Sequence, residues 1–300
     1  MSAERLHRID GIIELCAEER GDPADPTVLL IAGLGQQLIA WPADLCDALV
    51  SRGLHVVRFD NRDVGRSTHM DTAPPTPVEF VTRRWDPARY SLDDMACDTW
   101  RLMQALDLDD VHLVGMSMGG MIAQNVAARY PDRVASLTSI MSTTGAKRVG
   151  RPAPSTWRRM LGRPPADREA AIAATVSMLL HIGSHGFAVD EAQLRALAEE
   201  AWNRGAGPDA HEGVARQLAA IFKSGDRTGL VREITVPTLV IHGDRDRMVH
   251  PTGGAATAAA IPGARLHTIR GMGHDLPAGA YPELVDVIAA HALRAAPVPA

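Results

Sequence analysis

The sequence predicts an α/β protein: a mostly parallel sheet covered by helices on both faces, with a helical cap inserted into the core. Three observations carry this. Short apolar runs of strand length alternate with helical stretches, as parallel strands joined by crossover helices require. The runs are near-continuous rather than alternating, the pattern left by burial on both faces. The alternation lapses between residues 146 and 232 and then resumes.

Leu6–Ile9 and Ile12–Ala17 flank Asp10-Gly11 and read as a hairpin. Gly21–Pro26 is a loop, and Val28–Ala32 a buried strand ending in Gly33-Leu34-Gly35. A helix is expected over Pro42–Arg52, closed by Gly53. Strand Leu54–Asp60, surface loop Thr72–Pro77, helix Leu92–Leu106 and strand Val111–Val114 follow. Helix Gly119–Tyr130 stops at Pro131, and Val134–Ile140 is the next strand. Residues 146–232 are helical in pattern. Strand Val236–Gly243, helix Gly254–Ile261, strand Arg265–Ile269 and helix Pro282–Arg294 complete the chain, with Ala295–Ala300 expected to fray. The expected division is therefore a core of residues 1–145 and 233–300, with a cap of residues 146–232.

The strand Val111–Val114 runs into Gly115-Met116-Ser117-Met118-Gly119 and a helix begins at once. This is the nucleophile-elbow pattern, Gly-x-Ser-x-Gly. A serine that attacks a carbonyl must stand clear of the sheet on a strained turn, and the flanking positions admit only very small side chains. The following helix aims its free N–H groups at a developing oxyanion. The strand before and helix after distinguish the motif from an ordinary turn.

A serine hydroxyl needs a base, and the base needs an orienting acid. Both should lie at the carboxyl ends of later strands. Gly243-Asp244-Arg245-Asp246 and Gly271-Met272-Gly273-His274 occupy such places. Asp246 is preferred over Asp244, which directly follows the strand and suits a turn-stabilising role. Among twelve histidines, His274 alone stands in a glycine-flanked loop downstream of that acid. The oxyanion donors are expected to be the amides of Met118 and of Leu34, with Gly33 next and also expected to touch substrate.

Asp60-Asn61-Arg62-Asp63-Val64-Gly65-Arg66-Ser67 reads as a local ion-pair and turn network supporting the elbow. Among the cap's apolar residues (Trp157, Met160, Leu161, Met178, Leu179, Leu180, Phe187, Trp202, Ile221, Phe222) most are expected to pack between helices. A minority should face Ser117, and Trp157, Met160 and Phe222 are the substrate-contacting candidates. His242-x-Asp244-x-Asp246 and His181-x-x-x-His185 complete no metal-ligand set, so no metal is expected. Gly33-Leu34-Gly35 lacks the third glycine of a dinucleotide site, and no cofactor is expected.

Bulk properties narrow the partners. Thirty-six acidic against 31 basic residues give a net charge of −5 without a basic run, against nucleic acid as partner. No apolar run reaches membrane length, no apolar leader opens the sequence, and Cys16, Cys46 and Cys97 are unpaired in pattern. These features predict buried, reduced thiols in a cytoplasmic protein. They leave the oligomeric state open.

Taken together, Ala32-Gly33-Leu34-Gly35, Phe59–Ser67, the Ser117 elbow, His242–Asp246 and Gly271–His274 resemble an α/β-hydrolase with a lid, over nearly the whole length. Leu54–Asp60 with Arg62-Asp63 and Gly65–Thr68 is similar to the bacterial serine-esterase branch that includes aclacinomycin methylesterase. The resemblance implies a carboxylesterase acting on a small-molecule ester, bulky natural products such as antibiotics included. The same triad also serves C–C hydrolysis, perhydrolysis and cofactor-free oxygenation, and the fold is used by non-catalytic receptors. The family's usual His-Gly-x at the oxyanion loop is here Ala32-Gly33-Leu34. The elbow carries neither an aspartate nucleophile nor Gly-Gly-Ser-Trp-Gly.

Overall fold

The computed structural model describes residues 3–160, 162, 165–205, 207 and 210–295. Leu161 of the expected cap and the last five residues of the expected frayed tail lie outside them.

Eight strands form one sheet: β1 (Arg5–Arg8), β2 (Glu14–Arg20), β3 (Thr27–Ile31), β4 (His55–Phe59), β5 (Val111–Met116), β6 (Val134–Ile140), β7 (Thr238–Gly243) and β8 (Arg265–Ile269). Their order across the sheet is β1-β2-β4-β3-β5-β6-β7-β8. β1, β2 and β4 pair antiparallel, and from β4 onward every pairing is parallel. β3 has β4 on one side and β5 on the other, so the chain reverses its direction of travel across the sheet there. Loops leaving β3 and β5 diverge at such a point and open a crevice at the strands' carboxyl ends.

The apolar strand runs fill two cores. Leu29, Ile31, Val57 and Leu113 face α3 (Leu92–Ala105) and α4 (Met118–Arg129). Val28, Leu30, Val56 and Val114 face α1 (Ala43–Val50) and α11 (Tyr281–Ala292). Successive residues thus serve opposite cores, and none can be polar without burying an unpaired group. The remaining helices are α2 (Pro77–Thr82), α5 (Pro154–Met160), α6 (Arg168–Ile182), α7 (Glu191–Asn203), α8 (Ala210–Ser224), α9 (Thr228–Val231) and α10 (Thr252–Ala260). Helices α5 to α9 all lie between β6 and β7.

Two elements differ from the sequence reading. β2 continues to Arg20 because Ala17–Arg20 pairs with Val56–Phe59; its charged end is accommodated by Glu18 binding Arg58 at 2.6 Å and Arg20 at 2.7 Å. α2 begins at Pro77, where a loop alone was expected to end. Thr76 and Glu79 form a reciprocal capping box with proline in the first turn, a signal visible in Thr-Pro-Val-Glu.

The Asp60–Ser67 segment makes the expected local turn bonds, Arg66 N to Asp60 Oδ2 at 3.0 Å and Ser67 Oγ to Asp60 O at 2.6 Å, and also a long-range network that reaches the β3 loop and the inserted helices. Asn61 Nδ2 donates to Ala32 O at 3.1 Å, and Asp60 Oδ1 accepts from Leu38 N at 2.6 Å. Arg204, at the end of α7, reaches Asp60 at 3.1 Å. Arg216 on α8 reaches Asp63 at 2.9 Å, where Tyr90 Oη also donates at 2.7 Å. Asp63 is 1% and Arg216 6% exposed. Arg216→Met leaves a buried carboxylate short of its counter-charge and is expected to cost about 3–5 kcal/mol of stability. Equilibrium urea unfolding measures this; a loss under about 1 kcal/mol would mark the pair as an ordinary surface bridge.

Candidate active site

Ser117 follows β5 and caps α4 with φ 55° and ψ −120°, a conformation that costs a non-glycine residue on the order of 1–3 kcal/mol. Close packing holds it there. A Cβ on Gly115 would lie 2.2 Å from Gly119 O, and one on Gly119 2.1 Å from Ile31 O. Ser117 N donates to Ile140 O at 2.9 Å, and Ser142 Oγ donates to Ser117 O at 2.8 Å. The turn is thereby fixed to β3 and β6 at once.

His274 and Asp246 come to this serine from the loops after β8 and β7. His274 Nε2 lies 2.9 Å from Ser117 Oγ, and His274 Nδ1 lies 2.7 Å from Asp246 Oδ2. The other carboxylate oxygen, Oδ1, accepts from the amides of Met248 and Val249, each at 2.8 Å. Burial alone raises the Asp246 carboxyl, but His274 and His242 beside it outweigh that and hold it at about 2. It is therefore ionised at neutral pH. His242 Nε2 sits 2.8 Å from Val249 O and 3.3 Å from Asp246 Oδ2. Asp244 is placed elsewhere, accepting from Gly271 N at 2.6 Å and bracing the histidine loop's base.

The inserted segment also holds the histidine. His274 N donates to Ile182 O at 2.8 Å, and Gly273 N to Ser184 Oγ at 2.8 Å. Ser184 Oγ in turn donates to Asp275 Oδ1 at 2.5 Å. Sequence reasoning missed Ser184; a serine just past a helix-ending Gly183 gives no sign of a partner some ninety residues on.

Leu34 and Met118 both border the cavity above Ser117. Among the described residues neither amide has a protein acceptor, as an oxyanion-binding pair requires. The Gly33 amide is already bound to Gln36 Oε1 at 3.0 Å. Gly33 does not line the cavity, contrary to its expected contact with substrate; its Cα faces Ser117 Cβ, where an added methyl would sit at 3.2 Å.

The cavity measures about 1210 Å3 and is walled by Trp157, Met160 and Phe222 together with Ser117 and His274. Met178, Leu179, Trp202 and Ile221 join them, so most of the apolar residues named in the inserted segment face the cavity, not the minority expected. An amphipathic stripe has the same sequence pattern whether it meets another helix or surrounds a hollow. Phe187 does pack into the core beside α11. Among the described residues no three His, Cys, Asp or Glu side chains come together as a metal site, and no helix is long and apolar enough to cross a membrane. Cys16 and Cys46 are buried and Cys97 half-buried, all three as free thiols.

The family model described as alpha/beta hydrolase fold matches residues 26–278. The chain is 30% identical over 317 residues to rhodomycin D methylesterase of Streptomyces peucetius, spanning 95% of this chain and 97% of that protein. It is 29% identical over 277 residues to a 2-hydroxy-6-oxononadienedioate/2-hydroxy-6-oxononatrienedioate hydrolase of Paraburkholderia xenovorans, with 90% and 87% covered. Among solved structures, the enol-lactonase from Burkholderia xenovorans superposes with a TM-score of 0.74 at 22% identity, over 96% of this chain and 100% of that one. At that identity the likeness speaks for the fold.

Proposed function

The chain belongs to the α/β-hydrolase family, and on that footing we propose that it is a serine carboxylic-ester hydrolase working through an acyl-enzyme. The observation that carries the reading is the unbroken line from Ser117 Oγ through His274 to Asp246, 2.9 Å and 2.7 Å, with its serine end open to the cavity. Its likeness to a methylesterase along nearly its whole length supports the choice of an ester bond.

In this mechanism His274 Nε2 takes the Ser117 proton as Oγ attacks the ester carbonyl. Asp246 keeps the Nδ1 proton in place and balances the imidazolium that forms. The amides of Leu34 and Met118 bind the oxyanion, helped by the N-terminus of α4. Collapse expels the alcohol with a proton from His274, and water attacks the acyl-enzyme by the same steps. Aryl esters of increasing acyl length, assayed beside a fluorophosphonate probe, test this: esters are turned over and Ser117 is labelled. Labelling without ester turnover would point to another use of the triad, and inertness to both would overturn the enzyme reading.

Residues 146–232 act as a cap that sets substrate size. Shortening Trp157, Met160 or Phe222 to alanine is expected to change kcat/KM for a bulky ester relative to an acetate, with fluorophosphonate labelling nearly unchanged. Ratios all within about twofold of wild type, under about half a kcal/mol, would make the cap packing alone and shift attention to Trp85, which also borders the cavity.

A further inference from the structure

The cavity is apolar in most of its wall but carries more cations than carboxylates. Among the described residues, Arg83, Lys147, Arg148, Arg151, Lys223 and Arg227 line it, against the carboxylates of Asp167 and Asp226. This runs against the chain's net charge of −5. Both carboxylates are engaged locally. Asp167 caps α6 through Ala170 N at 2.8 Å, and Asp226 accepts from Thr228 N at 2.9 Å.

The arginines buried elsewhere each hold a carboxylate: Arg58 with Glu18, Arg62 with Asp98, Arg204 with Asp60 and Arg216 with Asp63. Arg227 does not. It is 6% exposed, and its guanidinium donates only to neutral oxygens: Met121 O at 3.2 Å, Gln124 Oε1 at 2.9 Å and Thr143 O at 2.7 Å. Its Nε makes no hydrogen bond. Burial lowers it to about 10, so it stays charged at neutral pH. Asp93 and Asp226 act on it only from a distance, with no ion pair formed, and a buried cation without a carboxylate in contact is costly.

Arg227 also stands close to the chemistry. Its acceptor Met121 bonds through its own amide to Ser117 O at 3.2 Å, one turn into α4. A further acceptor, Thr143, opens the segment that continues to Lys147, Arg148 and Arg151, three exposed cations without a protein partner among the described residues. Arg83 also lines the cavity, its Cζ 4.2 Å from the Phe222 ring centroid.

We propose that this cavity selects anionic amphiphiles: an ester whose apolar body fills the cavity and whose free carboxylate or phosphate is drawn to the cations of Arg227 and the Lys147–Arg151 loop. The substrate class rests on the esterase reading; the anion preference can be measured without it. In Ser117→Ala, quenching of the cavity tryptophans is titrated with decanoate, decyl phosphate and decanamide, ligands of like apolar length that differ in charge. At low salt, decanoate, decyl phosphate or both bind about tenfold or more tighter than the amide. The margin shrinks as salt screens it. The double reversal R148E/R151E, at exposed positions outside the triad, brings the ratio towards one.

Equal binding of all three, no saturable binding of either anion, or a ratio untouched by the reversal would overturn the proposal. Which anion gains more identifies the group. A second arm compares wild-type kcat/KM for 4-nitrophenyl hexanoate and the mono-4-nitrophenyl ester of adipate. A binding preference with neither ester hydrolysed leaves the anion site standing and sinks the esterase. Hydrolysis of both without a binding preference does the reverse.

Discussion

Ser117→Ala is expected to lower kcat for every ester the protein turns over by roughly a millionfold, the scale of losing the nucleophile in a comparable serine hydrolase. The fold should survive. The φ of 55° is imposed by Gly115 and Gly119 packing against neighbouring backbone and by bonds through Ser117 N and O. Alanine keeps all of these and loses only the contact to His274. The melting temperature should therefore move by no more than a few degrees, on the order of 1 kcal/mol. Two measurements make the result decisive: steady-state rates on an aryl ester, and the mass shift on exposure to a fluorophosphonate. Retention of more than a tenth of the wild-type rate, or labelling of the variant, would remove Ser117 from its role.

The elbow was legible because its constraint is local. Only glycine fits at Gly115 and Gly119, and five consecutive residues spell that out. Asp246 and His274 were legible through chain order and through the glycines that let their loops turn at strand ends. What holds those loops was hidden. Ser184 under the histidine loop, and Arg204, Arg216 and Arg227 against the core, act across more than eighty residues of chain. Periodicity says which face of a helix is buried, never which partner meets it. The Asp60–Ser67 charges were recognisable as a network, but its reach to α7 and α8 required the fold. For the same reason the apolar stripes of the inserted helices could not announce a cavity, since hollow and filled interiors demand the same residues.

Asp246→Asn should cost about ten-thousandfold in kcat, as the equivalent change does in a serine protease, whereas Asp244→Asn should stay within a few-fold of wild type. The local geometry says why the first change is so severe. Asp246 Oδ1 is pinned by the amides of Met248 and Val249, each at 2.8 Å. An asparagine must present its carbonyl oxygen to those two donors, which forces its NH2 into the place of Oδ2. That group then faces His274 Nδ1 from 2.7 Å or so and can only donate to it. The imidazole is driven to carry its proton on Nε2, the nitrogen next to Ser117 Oγ, and so cannot accept one from the serine. Because the Asp246 carboxyl is held at about 2, the wild-type acid stays ionised across any practical assay range, and the gap between the enzymes should persist from mildly acidic to neutral pH. Asp244 accepts from Gly271 N at 2.6 Å, a bond that an asparagine oxygen can also accept, and its one ion pair, with Arg245 at 3.8 Å, is exposed and worth little. Parallel kinetics of the two variants on one ester decide between the acids: if Asp244→Asn proves the more damaging, the orienting role belongs to Asp244 and the contact between Asp246 and His274 is structural.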